Sequence, residues 1–367
     1  MTIIITGDDV TRLLSMKECI DAMRLTFEDF SNGLAVNRPR VRYLARMAKD
    51  DSKRYWANIH AGAVPSAGFA CVRAGSQIKV RNAPGSKRSF RNENPRPFNW
   101  GIVILYDIET AEPLAFVHEF ELSGMRVGAT TGAAVAEIAR KDAATLGMFG
   151  SGKQARAALD AIASVRPITR VNVYSPSEEH RLRFAAEAGR DGIEIVPVAD
   201  PRAAVTGADI VSCATSAAEP VFDGAWVEDG QMVVTIANSD ANHKRFEVDA
   251  TTIFSASQVV INDWESVIEN KQTELIDLIE DGRLARERIF ELGDLFTGKQ
   301  QVRQPPRGEG RGIIYYKNNS GLAIQFAAAG GIVFRKAAAE GRCMAIPTEA
   351  LGSDLSSYIA AGFNPSP

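Results

Sequence analysis

The most constraining feature of the sequence is a short glycine-rich segment between an apolar run and an amphipathic helix. The apolar run Thr145–Phe149 predicts a β-strand, and Lys153–Val165 carries apolar side chains at three- and four-residue spacing, which is typical of a helix. Between them, Gly150 and Gly152 occupy the positions where a dinucleotide-binding turn needs glycine, and Ala155 is the small residue that lets the helix pack closely. The helix N-terminus offers free N–H groups to a pyrophosphate. The segment therefore predicts a Rossmann-type site for NAD or NADP.

The same segment contains most of a second nucleotide-binding motif. Residues 147–153 follow the spacing G-x-x-x-x-G-K, but Gln154 stands where a P-loop needs Ser or Thr to hold Mg²⁺. Phosphoryl transfer depends on that metal ion, so a nucleotide triphosphatase is disfavoured. A glycine turn with a purely structural role remains an alternative. For a dinucleotide site, the expected contacts in the turn are Gly150, Ser151, Gly152, Lys153, Gln154 and Ala155.

Short apolar runs alternate with helical patterns through the middle of the chain. The further strand-like runs are Arg170–Tyr174, 192–198, 208–215, 232–236 and 258–261. This alternation predicts an α/β fold with a Rossmann-type, doubly wound parallel sheet, which we place at residues 125–310. Residues 1–124 together with 311–367 are expected to form a discontinuous α+β domain. The basic stretch 79–96 is expected to be a loop, either a solvated excursion or a lid over an anionic substrate.

Composition and charge narrow the class of protein. A chain of 367 residues exceeds what one hydrophobic core usually serves, so two domains are expected. The net charge of −3 points neither to a nucleic-acid partner nor to an anionic membrane, and no apolar stretch reaches the ~20 residues that span a bilayer. The N-terminus lacks the basic region of a signal peptide. A cytoplasmic enzyme is therefore expected.

Neither the cysteines nor the histidines form a recognisable metal-binding pattern. The four cysteines are scattered without a CxxC pair, which argues against a disulfide framework and a zinc site. The four histidines show no metal-ligand spacing, and His118 in an apolar run is expected to be structural. We therefore expect no bound metal.

The choice between NAD and NADP depends on the end of the second predicted strand. NAD enzymes usually carry Asp or Glu there, but this strand is followed by Ser175 and Ser177 without a carboxylate between them. The two serines, with Arg181 or Arg183, would suit a 2′-phosphate. The alternative is that these arginines lie on the exposed face of a helix and contact no cofactor. The pattern favours NADP weakly and leaves the choice open.

Two residues are candidates for the chemistry. Arg126 lies among small residues on a predicted helix, where a guanidinium is tolerated if it faces a cleft or an anion, and surface exposure is the alternative. Asp240 follows the predicted strand 232–236, and ligands of parallel sheets lie beyond the carboxyl ends of strands. A loop aspartate is more often a turn former than a general base. Spacing alone does not single out Arg40 or Arg73.

Six segments in a fixed order resemble the ornithine cyclodeaminase/mu-crystallin family. They cover most of the chain, and their combined order is more specific than any single segment. The segments are 121–130, 139–143, 146–155, 208–222, 239–249 and 316–321.

The resemblance implies a Rossmann domain and a discontinuous domain for substrate binding and dimerisation, in a homodimer that binds NAD or NADP beside a small amino or imino acid. It implies that Arg126 holds the substrate carboxylate, that Asp240 is the acid/base and that Arg40 is a further carboxylate ligand. Arg73 takes the place of a lysine common in the family. We also expect cofactor contacts from Thr130 and Thr215.

Three positions depart from the family pattern. An arginine stays charged, so we expect Arg73, as one of the catalytic residues, to bind an anion rather than to transfer a proton. Val127 replaces an expected threonine, and Phe326 replaces an expected aspartate. These changes argue against ornithine cyclisation.

The resulting hypothesis is an NAD(P)-dependent oxidoreductase that interconverts an amino acid and its imine, as an amino acid dehydrogenase or a ketimine reductase. The first alternative is a cyclodeaminase with tightly held NAD⁺. The second is a non-enzymatic, NADP-dependent binder of a small molecule.

Overall fold

Two eight-stranded sheets organise the chain in the computed structural model, which describes residues 1–82, 90–239, 245–306, 312–319 and 321–356. The helices are α1 (Gly7–Leu13), α2 (Met16–Ser31), α3 (Glu119–Ile138), α4 (Lys153–Val165), α5 (Glu178–Glu187), α6 (Arg202–Val205), α7 (Ala250–Ser255), α8 (Trp264–Glu269), α9 (Thr273–Glu280), α10 (Leu292–Phe296) and α11 (Ala323–Glu340). Short 3₁₀ turns lie at Pro65–Ala67, Gly224–Trp226, Arg286–Arg288 and Thr348–Leu351.

The strands divide between the two sheets by their position in the chain. They are β1 (Thr2–Ile5), β2 (Val36–Met47), β3 (Asp50–Val64), β4 (Phe69–Arg81), β5 (Phe90–Asn92), β6 (Trp100–Asp107), β7 (Pro113–His118), β8 (Thr145–Phe149), β9 (Arg170–Tyr174), β10 (Glu194–Pro197), β11 (Ile210–Cys213), β12 (Met232–Thr235), β13 (Ala256–Ile261), β14 (Ile289–Glu291), β15 (Ile313–Lys317) and β16 (Met344–Ile346).

The second sheet is parallel throughout, in the order β10-β9-β8-β11-β12-β15-β13-β14. Alternate residues of its central strands enter two different apolar clusters. Met232 and Val234 of β12 pack in one cluster, and Val233 packs in the other. A strand buried on both faces needs helices on both sides. The predicted doubly wound α/β fold is therefore confirmed.

The parallel sheet extends by one strand, β15, past the boundary expected at residue 310. β15 lies between β12 and β13, with Ile314 paired to Met232 on one side and to Gln258 on the other. All five residues of β15 are buried, because the strand occupies the middle of the sheet. Of the segments after 310, α11 and β16 therefore return to the first sheet, while β15 belongs to the Rossmann sheet.

The first sheet is mixed, in the order β16-β1-β7-β6-β4-β3-β2, with β5 on the far end of β4. Helix α11 packs across β3 and β4 and covers one face. The loop expected at 79–96 is partly wrong: residues 79–81 continue β4, and 90–92 form β5. Residues 83–89 lie outside the described part of the chain. β4 extends further because its pairing with β3 continues to Val80.

Helix α3 connects the two sheets and positions the site. It packs against α4 of the Rossmann domain and against α2 of the N-terminal part. Both faces of its central portion are buried, which explains its run of small residues. A cavity opens between the β8–α4 turn and the face of β2, β3 and β4. Across the described helices, none is long and apolar enough to cross a membrane.

Candidate active site

One cavity of about 920 Å³ joins the glycine turn to an arginine-lined surface. Its Rossmann side includes Gly150, Ser151, Gly152, Lys153 and Gln154. Its other side is formed by β2, β3, β4 and α3. This volume is within the usual range for a ligand site, and it leaves room for a dinucleotide and a small substrate side by side.

The two glycines of the turn are required for different reasons. Gly150 has φ +106°, and a side chain there would collide with the Ala214 carbonyl oxygen. Gly152 is the N-cap of α4, without a side-chain cap, and the space beyond its Cα is open cavity. The uncapped N–H groups of α4 face this space. The residues present therefore fit a pyrophosphate at the helix N-terminus.

The remaining turn residues agree with a dinucleotide site and not with a P-loop. Ala155 is fully buried and lets α4 pack against the sheet, so it supports the turn without lining the cavity. Gly147 lies inside β8, where a side chain would collide with the Ala204 backbone. Its role is packing against α6. The Gln154 side-chain oxygen is buried without a hydrogen-bond partner among the described residues.

Replacing Gly152 with alanine tests this cradle. We expect Gly152→Ala to raise the dissociation constant of the reduced dinucleotide about tenfold, because the methyl group occupies the space of the pyrophosphate. Gly189→Ala is the matched control, since a Cβ there also meets nothing within 4 Å but lies away from this cavity. Fluorescence titration measures both. Equal affinity in the two variants would contradict the cradle.

Lys153 has a position of its own at the start of α4. Its ammonium contacts the Phe120 carbonyl oxygen and lies 3.6 Å from a carboxylate oxygen of Glu121. Burial lowers the pKa of Lys153 to about 8. It lines the cavity and holds the start of α3 close to the turn.

The end of β9 differs in detail from what the sequence predicts. Ser175 lines the cavity with His180 and Arg183, whereas Ser177 and Arg181 do not. The Ser177 hydroxyl caps α5 by accepting the His180 N–H at 3.3 Å. Arg181 donates to the Ser175 carbonyl oxygen at 3.3 Å. Ser177 and Arg181 therefore stabilise this corner, and Arg183 is the arginine that faces the cavity.

Glu247 connects the two loops that follow β11 and β12. Its buried carboxylate accepts the Thr215 N–H at 2.6 Å and the Thr215 hydroxyl at 2.9 Å. It also accepts the N–H groups of Ile236 and Ala237, each at 2.7 Å. Burial raises the pKa of Glu247, whereas these hydrogen bonds favour its charged form. Thr215, one of the residues expected to contact the cofactor, lines the cavity.

Arg126 is buried and faces the cavity from α3. It is 6% exposed, and its guanidinium donates to the Gln325 side-chain oxygen at 2.8 Å and to the Ser123 hydroxyl at 3.3 Å. The guanidinium also lies over the Phe326 ring, 4.5 Å from its centroid. Burial lowers the pKa of Arg126 to about 9, so the charged guanidinium is held at a desolvation cost.

The position of Thr130 differs from the expected cofactor contact. Its side chain is fully buried behind Arg126 and does not line the cavity. Its hydroxyl donates to the Arg126 carbonyl oxygen at 2.7 Å and accepts the Gln325 amide at 2.7 Å. Thr130 therefore orients Gln325, which in turn holds the guanidinium.

Arg73 lies on the cavity face of β4 in an ion pair. Its guanidinium is 2.9 Å from a carboxylate oxygen of Glu119, at the start of α3. Gly75 and Gly101 are cross-strand partners, and a side chain at either position would crowd one member of this pair. The glycines therefore make room for a fixed charge, which suits anion binding better than proton transfer.

Three further residues line this end of the cavity that sequence reasoning did not select. Arg42 shares the cavity face with Arg40, as the two-residue period of a strand predicts, so this signal was available. His60 is opposite Arg73 on β3, and Arg245 approaches from the Rossmann side. A lone histidine and a loop arginine carry no sequence pattern that could have identified them.

Asp240, the predicted acid/base, lies outside the described residues. The described residues that precede it, Asn238 and Ser239, belong to a buried polar layer with Glu274 and Lys317. The ammonium of Lys317 is 2.6 Å from a carboxylate oxygen of Glu274 and donates to the Ala237 carbonyl oxygen at 2.9 Å. The Ser239 N–H donates to Glu274 at 3.2 Å. Across the described part of the chain, no three His, Cys, Asp or Glu side chains are grouped as a metal site would require.

Comparison with known proteins finds relatives of this chain among reductases and dehydrogenases. A Delta(1)-pyrroline-2-carboxylate reductase of Bacillus cereus is 30% identical over 205 residues, which are 56% of this chain and 62% of that protein. An alanine dehydrogenase of Archaeoglobus fulgidus is 25% identical over 337 residues, which are 92% of this chain and 95% of that protein. The match to the Bacillus cereus protein thus covers less than two thirds of that relative's length.

A solved structure has the same fold. Delta(1)-pyrroline-2-carboxylate reductase of Thermococcus litoralis, in complex with NADH and L-proline, superposes with a TM-score of 0.79 at 26% identity, over 94% of this chain and all of that one. The model of the ornithine cyclodeaminase/mu-crystallin family matches residues 1–341. On this match, the chain belongs to the ornithine cyclodeaminase/mu-crystallin family.

Proposed function

We propose that the protein is an NAD(P)-dependent oxidoreductase that interconverts a small amino acid, or an N-substituted amino acid, with its imine. The observation that carries the proposal is the buried guanidinium of Arg126 in the same cavity as the glycine turn. A cation held at a cost in an enclosed site indicates an anionic ligand, and a carboxylate accepts its forked donors. The two relatives, a Delta(1)-pyrroline-2-carboxylate reductase and an alanine dehydrogenase, support an amino or imino acid as that ligand.

In this proposal, one set of residues binds the substrate and another residue transfers the proton. When bound, the nicotinamide dinucleotide supplies a hydride to the imine carbon or accepts one from the α-carbon of the amino acid. Arg126, with Arg40 and Arg73, holds the carboxylate and so orients that carbon. We propose that Asp240 gives a proton to the substrate nitrogen in reduction and takes it back in oxidation.

Two measurements on one reaction separate this proposal from its alternatives. With a substrate present, we expect stoichiometric change in absorbance at 340 nm as the dinucleotide changes redox state. A cyclodeaminase would instead release ammonia without net change at 340 nm. A non-enzymatic binder would bind the dinucleotide and show neither signal with any amino acid, or any keto acid with an amine. Either of the last two results would contradict the proposal.

We propose a preference for NADP over NAD. Ser175 and Arg183 line the cavity at the end of β9, and the described lining residues there, Tyr174, Ser175 and Pro176, bring no carboxylate for the ribose hydroxyls. A hydroxyl and a guanidinium suit a 2′-phosphate, which a carboxylate would repel.

Ser175→Asp tests this preference. We expect the variant to lower the ratio of kcat/KM for NADPH to that for NADH about 10- to 100-fold, because the new carboxylate repels the 2′-phosphate and accepts ribose hydroxyls. Ser177→Asp is the control, since aspartate also caps a helix and this position does not line the cavity. Steady-state kinetics with both cofactors give the ratios. An unchanged ratio in Ser175→Asp would contradict the assignment.

We also propose a cytoplasmic homodimer, as the family resemblance implies. The face of the first sheet opposite α11 exposes Val41, Tyr43, Tyr55, Trp100 and Ile102. These residues alternate with the cavity-facing ones on the same strands, so one face serves the site and the other is apolar. A second copy would cover that face by a two-fold axis. Light scattering that gives the mass of a monomer at micromolar concentration would contradict the dimer.

A further inference from the structure

Strands β11 and β12 leave the parallel sheet side by side, next to the cavity. Their register pairs Cys213 with Thr235, so the chain turns out of both strands at the same edge. The backbone N–H groups of Thr215, Ile236 and Ala237 lie past the end of this ladder. A backbone N–H group that is shielded from water needs an acceptor, so this edge of the sheet requires one from outside the two strands.

The side chain of Glu247 supplies that acceptor to both strands. One carboxylate oxygen accepts the N–H and the hydroxyl of Thr215, and the other accepts the N–H groups of Ile236 and Ala237. An ionised carboxylate has about four acceptor positions, and these donors occupy them. A glutamine in the same place would turn its NH₂ group towards donors on one side. This arrangement therefore requires a carboxylate and not merely a side chain of the same shape.

A second connection joins the same two loops. The Ser239 hydroxyl accepts the Arg245 N–H at 3.0 Å and donates to the Arg245 carbonyl oxygen at 3.1 Å, so the chain that leaves β12 at Ser239 returns beside it at Arg245. The Arg245 guanidinium donates to the Thr215 carbonyl oxygen at 2.7 Å. The described residues on both sides of Asp240 in the sequence are thus tied to the loop after β11.

The two loops that Glu247 joins both line the cavity, whereas Glu247 itself does not. Ala214 and Thr215 line it from the loop after β11, beside the glycine turn, and Ile236 and Asn238 line it from the loop after β12. Glu247 is 2% exposed and lies behind them. Its effect on a bound molecule is therefore exerted through the loops that it holds.

We infer that Glu247 is a positioning residue for the proposed reaction: its carboxylate holds the loop after β12, from which the chain continues to Asp240, against the loop that contacts the dinucleotide. The inference rests on the proposed function, because it uses the dinucleotide site and the acid/base role of Asp240. Dinucleotide binding at Thr215 and the placement of the loop after β12 are then coupled through one side chain. A glutamate that only stabilises the fold would give no such coupling.

Hydrogen exchange with NADPH, and in parallel with NADH, tests the coupling without turnover. In the wild-type protein, we expect the saturating dinucleotide to slow amide exchange about tenfold in peptides that cover residues 145–155 and also in those that cover 232–239. In Glu247→Gln, the slowing should persist at 145–155 and fall below about twofold at 232–239, because the link between the loops is lost. Asp249→Asn is the matched control. Its carboxylate also accepts N–H groups, those of Gly224 and Thr252, but neither of these residues lines the cavity.

Kinetics of single and double variants separate a positioning role from a structural one. At saturating dinucleotide, Glu247→Gln is expected to lower kcat about 10- to 100-fold, as a small misplacement of a reacting group does. In the Asp240→Asn protein, the same change should lower the remaining rate less than about twofold, because the group that it positions is already absent. Asp249→Asn should leave the rate within about twofold in either background. L-Alanine and L-proline are the substrates supplied, and absorbance at 340 nm under single-turnover conditions gives the rates.

A second variant covers the case in which Glu247→Gln does not fold. Ser239→Ala breaks the other connection between the loops without changing a charge, and it should show the same pattern of exchange and the same dependence on Asp240 with a smaller loss of rate. Thermal melting shows whether each variant is folded.

The outcomes separate this inference from the proposed function. Equal effects of Glu247→Gln in the two backgrounds, or exchange at 232–239 that responds to the dinucleotide as strongly in the variant as in the wild type, would overturn the positioning role alone. Absence of turnover with both amino acids would count against the proposed function, and the exchange result would still decide the coupling. A wild-type protein that binds neither NADPH nor NADH would overturn both.

Discussion

Arg126→Gln is expected to lower kcat/KM about 10³-fold while the affinity for the dinucleotide stays within about threefold. The loss of a buried, charge-assisted contact to a carboxylate costs about 2–5 kcal/mol, and each 1.4 kcal/mol is a factor of ten. The glycine turn belongs to a different part of the cavity, so dinucleotide binding is expected to persist. Steady-state kinetics and fluorescence titration measure the two quantities.

The same variant distinguishes a binding role from a structural one. The guanidinium of Arg126 donates hydrogen bonds to the neutral groups of Gln325 and Ser123, and its burial carries a desolvation cost. Removing the charge is therefore not expected to lower the melting temperature. Arg335→Lys is a control, because Arg335 also lies over a phenylalanine ring, that of Phe69, but away from the cavity. A large loss of stability with unchanged kcat/KM in the folded fraction would contradict substrate binding by Arg126.

Asp240→Asn is expected to lower kcat about 10²- to 10⁴-fold with dinucleotide affinity unchanged. A positioned acid/base contributes about 10²- to 10⁴-fold to the rate. Asparagine has nearly the same shape as aspartate but exchanges no proton, so this contribution is lost. The wild-type pH profile of kcat/KM should contain a limb that disappears in the variant. Asp281→Asn, on an exposed ion pair with Arg283, is the control. Turnover near the wild-type rate in Asp240→Asn would remove Asp240 from the proposed mechanism.

The relation between sequence and structure differs between the two halves of the cavity. The cofactor half was predictable because its determinants are local: a buried strand, two glycines and a helix follow one another directly. The structure confirms that arrangement, with φ +106° at Gly150 as the physical reason for the first glycine. The end of β9 was less predictable, since a serine before a helix serves equally as a cap or as a ligand. Ser177 is a cap, and Ser175 lines the cavity.

The substrate half could be predicted only in part. Arg126 was identifiable because a lone guanidinium among small residues needs an explanation. Arg42 follows the two-residue period of Arg40 on β2, but His60 and Arg245 reach the same cavity from β3 and the Rossmann side, and no local pattern identifies them. Thr130 was expected to contact the cofactor, but its side chain is buried and its hydroxyl accepts a hydrogen bond from the Gln325 amide.

The sequence by itself determined the parallel sheet, the dinucleotide turn and the presence of a buried cation, because periodicity, glycine conformation and desolvation act over a few residues. The tertiary structure decided where β15 belongs and which cations meet. Both depend on strand order and register, which long-range packing sets. His60 and Arg73 are opposite each other through the pairing of β3 with β4, and α3 brings Arg126 to the same space. The charge of the substrate end is therefore a property of the assembled sheet rather than of any one segment.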